Sequence, residues 1–254
     1  MRDTPAKLLG KGINLALNPL GVRLVRFHDW SDLEQFLPFE QTISDAHKAG
    51  LSVSDYVDVT YNVAGATQQT IDQMERMGVF SNPIDVVAEI GPGSGRYLEK
   101  VLRLCTPSRY EIYETAVPWA QYLAKTYRVV SLPADGFSMP HTATDSVDLA
   151  HAHKVFVATS FLTTCRYWLE MIRVTRADAH IVFDIVTEGC MAAETLEHWL
   201  ASTAFLRGAY PSMMPRDFAI EFFAQRGVAF IGSFFIPMKP GKTETLVFRK
   251  GQPQ

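Results

Sequence analysis

The sequence predicts an α/β protein built on a doubly wound, seven-stranded and mostly parallel sheet, preceded by a helical cap. Three observations predict it. An apolar run, Val86–Ile90, leads into a glycine-rich turn and then into a helical pattern. Short apolar runs then alternate with helical ones as far as residue 185, the rhythm of strands joined by crossover helices. Residues 228–236 and 243–249 finally read as an antiparallel pair around Lys239-Pro240-Gly241, which closes the sheet.

Taken in order, Thr42–Lys48 reads as a short helix, and Ser52–Val57 opens another. Thr67 has N-cap chemistry ahead of a helix through Thr70–Met74 that ends at Gly78. Residues 1–82 therefore form the cap and 83–250 the sheet domain. After the first strand comes a helix, Ser94–Leu104, closed by Pro107. Tyr110–Tyr113 is the second strand, and Pro118 suits the first turn of a helix running to Lys125. Arg128–Leu132 is the third strand and Val147–His151 the fourth, followed by a helix over Thr164–Val174. Ile181–Ile185 is the fifth. Two helices follow: Glu194–Leu206, inside a helical insertion at about residues 190–214, and Pro215–Arg226, stopped by Gly227.

The chain's 254 residues can bury a substantial core. A formal net charge of −3 supplies no global basic field, which argues against nucleic acid as a partner. Cys105, Cys165 and Cys190 are odd in number and scattered, with no C-x-x-C spacing. They read as reduced thiols of a cytoplasmic protein, neither a disulfide framework nor a zinc site. No apolar run reaches the roughly 18 residues of a membrane span. Ile13–Leu17 is too short, and too soon interrupted by Pro19 and Gly21, for a secretory signal. Lys7, Lys11, Arg23 and Arg26 flank apolar residues, a composition compatible with a weak peripheral membrane contact as well as with a helix packed on the body. The sequence does not fix the oligomeric state and is compatible with a homodimer.

Glu89 arrives near the carboxyl end of the first strand, and Gly91, Gly93 and Gly95 make a turn that allows close approach of a ligand. Backbone N–H groups of the following helix start face that turn. The arrangement suits a small ligand carrying an anionic group and a ribose. A dinucleotide loop counted from Gly91 would want glycine where Arg96 stands, and the G-x-x-x-x-G-K-[ST] phosphate loop is absent. Read as Glu89-x-Gly91-x-Gly93-x-Gly95, the stretch resembles motif I of the class I S-adenosylmethionine (SAM)-dependent methyltransferases. The order of elements over residues 83–250 is similar to that family's Rossmann-like fold. The resemblance implies SAM as cofactor, its methionine part held at Glu89, Gly91, Gly93 and Gly95. It also implies that Glu114, after the second strand, accepts both ribose hydroxyl protons and that Asp135, after the third, holds the adenine amino group. Gly136 would let the ring approach.

Ligands on open α/β sheets bind at the carboxyl ends of the strands, which directs attention to His151-Ala152-His153-Lys154. Alternation along an extended segment puts His151 and His153 on one side. A neutral imidazole is the side chain best suited to take a proton near neutral pH. His153, farther into the cleft, is the candidate base, whereas His151 is placed to support SAM or the core. Asp184 ends the fifth strand and Glu188 lies just past it. These acids either orient His153 directly or join it as ligands of a divalent ion such as Mg²⁺. Some sugar methyltransferases carry metal-binding acids at these two strand ends, as adjacent acids rather than this mixture.

Four stretches narrow the resemblance: Glu89–Tyr97, Tyr110–Thr115, Val182–Ile185 and Phe234–Pro237. Together with Tyr61–Thr67 in the cap, they are similar to a bacterial group of sugar O-methyltransferases. That similarity implies a hydroxyl of a sugar, glycoside or polysaccharide precursor as acceptor. Trp119, Trp168 and Trp199 are candidate stacking faces, and Tyr56, Tyr61 and His198 candidate polar contacts. Two alternatives stay open: a lipid or aromatic small molecule as acceptor, and a non-catalytic SAM-binding domain.

Overall fold

The computed structural model describes residues 37–201 and 210–252. The basic N-terminal segment, with its expected membrane contact, lies outside them, as does part of the 190–214 insertion. Three helices come first: α1 (Phe39–Lys48), α2 (Val53–Tyr61) and α3 (Ala66–Arg76). The sheet then alternates with helices: β1 (Val86–Ile90), α4 (Arg96–Leu104), β2 (Arg109–Tyr113), α5 (Val117–Thr126), β3 (Val130–Ser131), β4 (Val147–Ala152), α6 (Phe161–Val174) and β5 (Thr175–Ile185). A 3-10 turn at Glu188–Cys190, α7 (Ala193–Ala201) and α8 (Arg216–Ala224) precede β6 (Val228–Pro237) and β7 (Lys242–Lys250).

The seven strands stand in the order β3-β2-β1-β4-β5-β7-β6. Neighbours among the first five are parallel, and β7 runs antiparallel to both β5 and β6. The strand order thus reverses direction at β1, and the glycine turn leaves the sheet at that switch point, where crevices open in such sheets. Strand alternation divides the core in two. Ala88, Ile90, Ala150, Ala152, Phe183 and Phe248 face α6 and α8, where Trp168 stacks on Phe183 with ring centroids 5.3 Å apart. Val87, Tyr110, Leu149, Val182 and Val247 face the other way, onto Ile71 and Met74 of α3 and Tyr97, Leu98 and Val101 of α4. Each such fully buried aliphatic or aromatic side chain contributes about 1.5–3 kcal/mol.

Several sequence boundaries move for identifiable reasons. Gly65, in a left-handed conformation, is the N-cap of α3, because the Thr67 hydroxyl donates to Asp58 instead of capping. The third strand shrinks to Val130–Ser131, an exposed edge pair without apolar burial to extend it. The fifth grows back to Thr175 by way of a bulge: Val147 pairs with Thr175 but Leu149 with His180, so β5 carries extra residues there and Asp178 takes φ +64°. Pro215 is the N-cap of α8 rather than its first helical residue. No helix among the described residues is long and apolar enough to cross a membrane.

Candidate functional site

The glycine turn follows β1 directly. Gly91, Gly93 and Gly95 have φ of +59°, +56° and +81°, a region that side-chain-bearing residues rarely adopt. Packing within the chain reinforces the requirement at two of them. A Cβ on Gly91 would lie 2.6 Å from Val155 Cγ2, and one on Gly95 would lie 2.5 Å from Leu123 Cδ2. The turn's own N–H groups are spent internally: Gly91 N–H donates to the Tyr113 carbonyl, Gly95 N–H to that of Pro92, and Gly93 N–H to Glu114 Oε2. The first intrahelical bond of α4 is Glu99 N–H to the Gly95 carbonyl, so Arg96, Tyr97 and Leu98 present the first-turn donors of that helix.

Glu114 is buried at the end of β2. Its Oε2 accepts from Gly93 N–H and its Oε1 from Ala116 N–H, both at 2.8 Å, which fixes the carboxylate beside the glycine turn. Asp135 is exposed, and its carboxylate closes a local turn by accepting from Phe137 N–H, Ser138 N–H and the Ser138 hydroxyl. Gly136 beside it has φ +83°.

Glu89, His151, His153 and Asp184 all project to the face of the sheet that α3 and α4 cover, as the alternation of β1, β4 and β5 requires. Glu89 is 1% exposed, and Tyr110 Oη donates to its Oε2 at 2.6 Å. Burial pushes the Glu89 acid up to about 8; the Tyr110 hydrogen bond opposes that rise and the Glu114 charge adds to it. His151 Nε2 lies 2.9 Å from Tyr110 Oη, so the imidazole, the phenol and the Glu89 carboxyl form one buried hydrogen-bonded chain. Burial, and then the neighbouring His153, hold His151 well below the ordinary imidazole range.

His153 is 5% exposed, and its ring stacks on Tyr97 of α4 with centroids 4.2 Å apart. Neither ring nitrogen has a hydrogen-bond partner among the described residues. Burial lowers its pKa to about 4; Asp184 works against that shift, and Lys154 and Arg96 add to it.

Lys154 is the site residue that sequence reasoning missed. Its N–H donates to Asp184 Oδ1 at 2.6 Å, and its Nζ lies 2.9 Å from Asp184 Oδ2 while donating to the Thr243 hydroxyl. Burial alone would raise Asp184, but Lys154 and His153 bring it below the ordinary carboxylate range. Glu188 is exposed and serves elsewhere: its Oε2 accepts from Arg216 N–H at 3.1 Å, at the start of α8. The Arg216 side chain in turn pairs with buried Glu244, which also accepts from Thr187 and Ser233.

The described residues do not assemble the expected divalent-ion site. Asp184 is committed to an ammonium and Glu188 to a helix start, and no group of three His, Cys, Asp or Glu side chains able to hold a metal occurs among the described residues. The stacking expectation is corrected. Trp119 is fully buried and donates Nε1–H to the Leu37 carbonyl, Trp168 lies in the aromatic core and Trp199 is buried. His198 is exposed on α7, while Tyr56 and Tyr61 form an edge-to-face pair on α2 with Tyr61 open to solvent.

The cap meets the glycine turn through one cluster. Asp58 of α2 accepts from Gly65 N–H, Thr67 Oγ1–H and Asn62 Nδ2–H, and lies 3.6 Å from Arg96 Nη1. Arg96 is the residue after Gly95, and its guanidinium sits over the Tyr97 ring.

Known structures share this fold. A structure from Haloferax volcanii of a methyltransferase with the Trm112 methyltransferase activator superposes with a TM-score of 0.61 at 14% identity, over 83% of this chain and 98% of that one. Magnesium protoporphyrin IX methyltransferase (ChlM) from Synechocystis, with bound S-adenosylhomocysteine, gives 0.56 at 9% identity over 95% of each chain. An O-methyltransferase family protein from Burkholderia thailandensis gives 0.57 at 16%, over 89% of this chain and 69% of that one. The fold is that of the class I methyltransferases. No protein-family model and no curated protein matches the sequence. In this methyltransferase fold the glycine turn, Glu114 and the His151–Lys154 segment occupy the carboxyl ends of β1, β2 and β4.

Proposed function

We propose that the protein is a SAM-dependent O-methyltransferase acting on a hydroxyl of a sugar or glycoside. The observation that carries the cofactor reading is the bond from Gly93 N–H to Glu114, which sets a buried carboxylate beside a positive-φ glycine turn and a helix start. That geometry fits the group. The first-turn N–H groups of α4 would hold the carboxylate of SAM, and Glu114, fixed beside the turn, would accept its ribose hydroxyls. Gly136 leaves room for the adenine, with Asp135 at its amino group. Glu89, bonded to Tyr110, would shape the floor of the methionine site. When bound, SAM supplies a methyl group already activated on a sulfonium.

The protein's remaining tasks are to position the acceptor and to take its proton. His153 does the second. It is neutral at pH 7, and both ring nitrogens lack partners among the described residues. A pKa near 4 suffices, because an alcohol oxygen that is gaining a methyl group becomes a far stronger acid than the free alcohol. Asp184, held by Lys154, faces His153 with a fixed negative charge and stabilises the imidazolium that forms. The sugar acceptor rests on the resemblance of the stretches quoted above, with Tyr56 and Tyr61 as polar contacts on the cap.

Calorimetric titration with SAM, followed by a methyl-transfer screen of glycosides, lipids and phenols, tests the proposal. SAM should bind and glycosides should give product. His153→Ala should lower turnover by about 10²–10⁴-fold with SAM affinity little changed. The wild-type rate should hold through the ordinary imidazole range and fall only as pH approaches 4. Product from non-sugar acceptors alone would reassign the substrate, and binding without any turnover would make this a SAM-binding domain.

A further inference from the structure

The bulge in β5 opens a cavity of about 250 Å³ at the amino-terminal edge of the sheet. Asp148, which lines it, precedes His153 on β4 by five residues, about 16 Å at the rise of an extended strand, so the cavity stands apart from the glycine turn. We propose that it binds a small aromatic or aliphatic carboxylate. Val79, Ile84 and Ala179 supply an apolar wall, and Arg176 and His180 supply the polar contacts.

Asp148 does not repel such a ligand. Its Oδ2 accepts from Asp85 N–H at 2.9 Å and Val86 N–H at 2.8 Å, and its Oδ1 pairs with Arg176. This carboxylate is an anchor that fixes one side of the guanidinium. The other donors of Arg176, which is half exposed, have no partner among the described residues and form a fork suited to a carboxylate. Asp178 is likewise occupied, by Arg249 at 3.1 Å. His180 is 7% exposed, and its ring, which makes no hydrogen bond to a described residue, lines the cavity. Burial, and then Arg249, keep it neutral, with one N–H to donate. Arg176 and the carboxylates of Asp148 and Asp178 border the space, and Asp178 is balanced from outside it by Arg249. One added negative charge is met by Arg176, whereas a dianion is not.

The volume suits a fragment-sized molecule, so affinity in the millimolar range is expected. The test uses the full chain, ¹⁵N-labelled and titrated with benzoate. Saturable shifts should appear at the amides of Ile84, Ala177, Ala179 and His180, and should persist when SAM is present. R176Q should weaken the apparent affinity by about tenfold or more. A177L, which fills the space while leaving the Asp148 anchor intact, should abolish the response and decides the matter where R176Q fails to fold. Absence of saturable shifts, shifts unchanged in A177L, or a response to inorganic phosphate but not to benzoate would each overturn the assignment.

Discussion

At the β1–β2 end of the sheet, Glu114 gives its two carboxylate oxygens to backbone N–H groups, one of them in the glycine turn itself. At the β4–β5 end, Asp184 is held chiefly by the ammonium of Lys154, and nearby Glu244 by the guanidinium of Arg216. Both ends bury acids, but their stabilisation differs in kind. A carboxylate held by backbone donors keeps its place as long as the turn does. A carboxylate whose charge is balanced by a cationic side chain loses that compensation when the side chain is removed, even where other donors remain. The first acid is fixed by main chain beside the glycine turn, the second by a side-chain cation beside a neutral imidazole.

The comparison is broken most severely by removing Lys154. K154M should destabilise the fold by about 3–5 kcal/mol, because Asp184 is left buried without its cation. The double variant K154M/D184N should recover much of that loss in denaturant unfolding. A single variant as stable as wild type would mean that Asp184 is held mainly by its backbone donor. Glu114→Ala strikes the other end. It should weaken SAM binding by about 1.5–3 kcal/mol in calorimetry, with a smaller change in stability.

Acid–base behaviour sharpens the contrast further. The folded-state pKa of Glu89, about 8, lies above its ordinary value of 4.5, so the folded chain holds a proton that the unfolded chain has released. That contribution is complete below about 4.5 and is lost as pH rises through 8. His153 has the opposite sign. Its pKa is lowered from 6.5 to about 4, so stability is full above 6.5 and declines as pH falls towards 4. Melting temperatures should therefore fall on both sides, and Glu89→Gln should flatten the decline between pH 6.5 and 8 while leaving the acid limb in place. The smallest effect belongs to Glu188. Glu188→Ala removes one contact at the start of α8, worth about 1 kcal/mol. Activity should survive both that change and a chelator; loss of turnover on chelation, restored by Mg²⁺, would bring back the metal.

What was legible in the sequence follows the same division. The glycine turn and Glu114 could be read because their chemistry is local: residue spacing and a strand end suffice to place them. Strand alternation also placed His151 and His153 side by side, with ring centroids 5.3 Å apart. Alternation misleads at the next residue. Lys154 would point to the opposite face, and only its φ of +61° brings it back to Asp184. No periodicity announces such a twist in a lysine. Asp184 and Glu188 looked like ligands because their partners come from other elements, the Lys154 ammonium from just past β4 and the Arg216 N–H from the start of α8. Thr67 looked like a cap because nothing local reveals that Asp58, nine residues earlier, claims its hydroxyl. The cavity was hidden for a related reason. The strand was expected to begin at Ile181, and the bulge that opens the space lies just before it.

The junction of Asp58 with Arg96 has a kinetic consequence. Both side chains are largely shielded from water, and Arg96 is joined directly to Gly95. An excursion that lifts α2 from the body strands two charges in poorly hydrated surroundings. One that reshapes the turn at Gly95 drags the guanidinium off its carboxylate. Each excursion carries the other with it, so a molecule entering at the turn and one entering beneath the cap pass through a single shared gate.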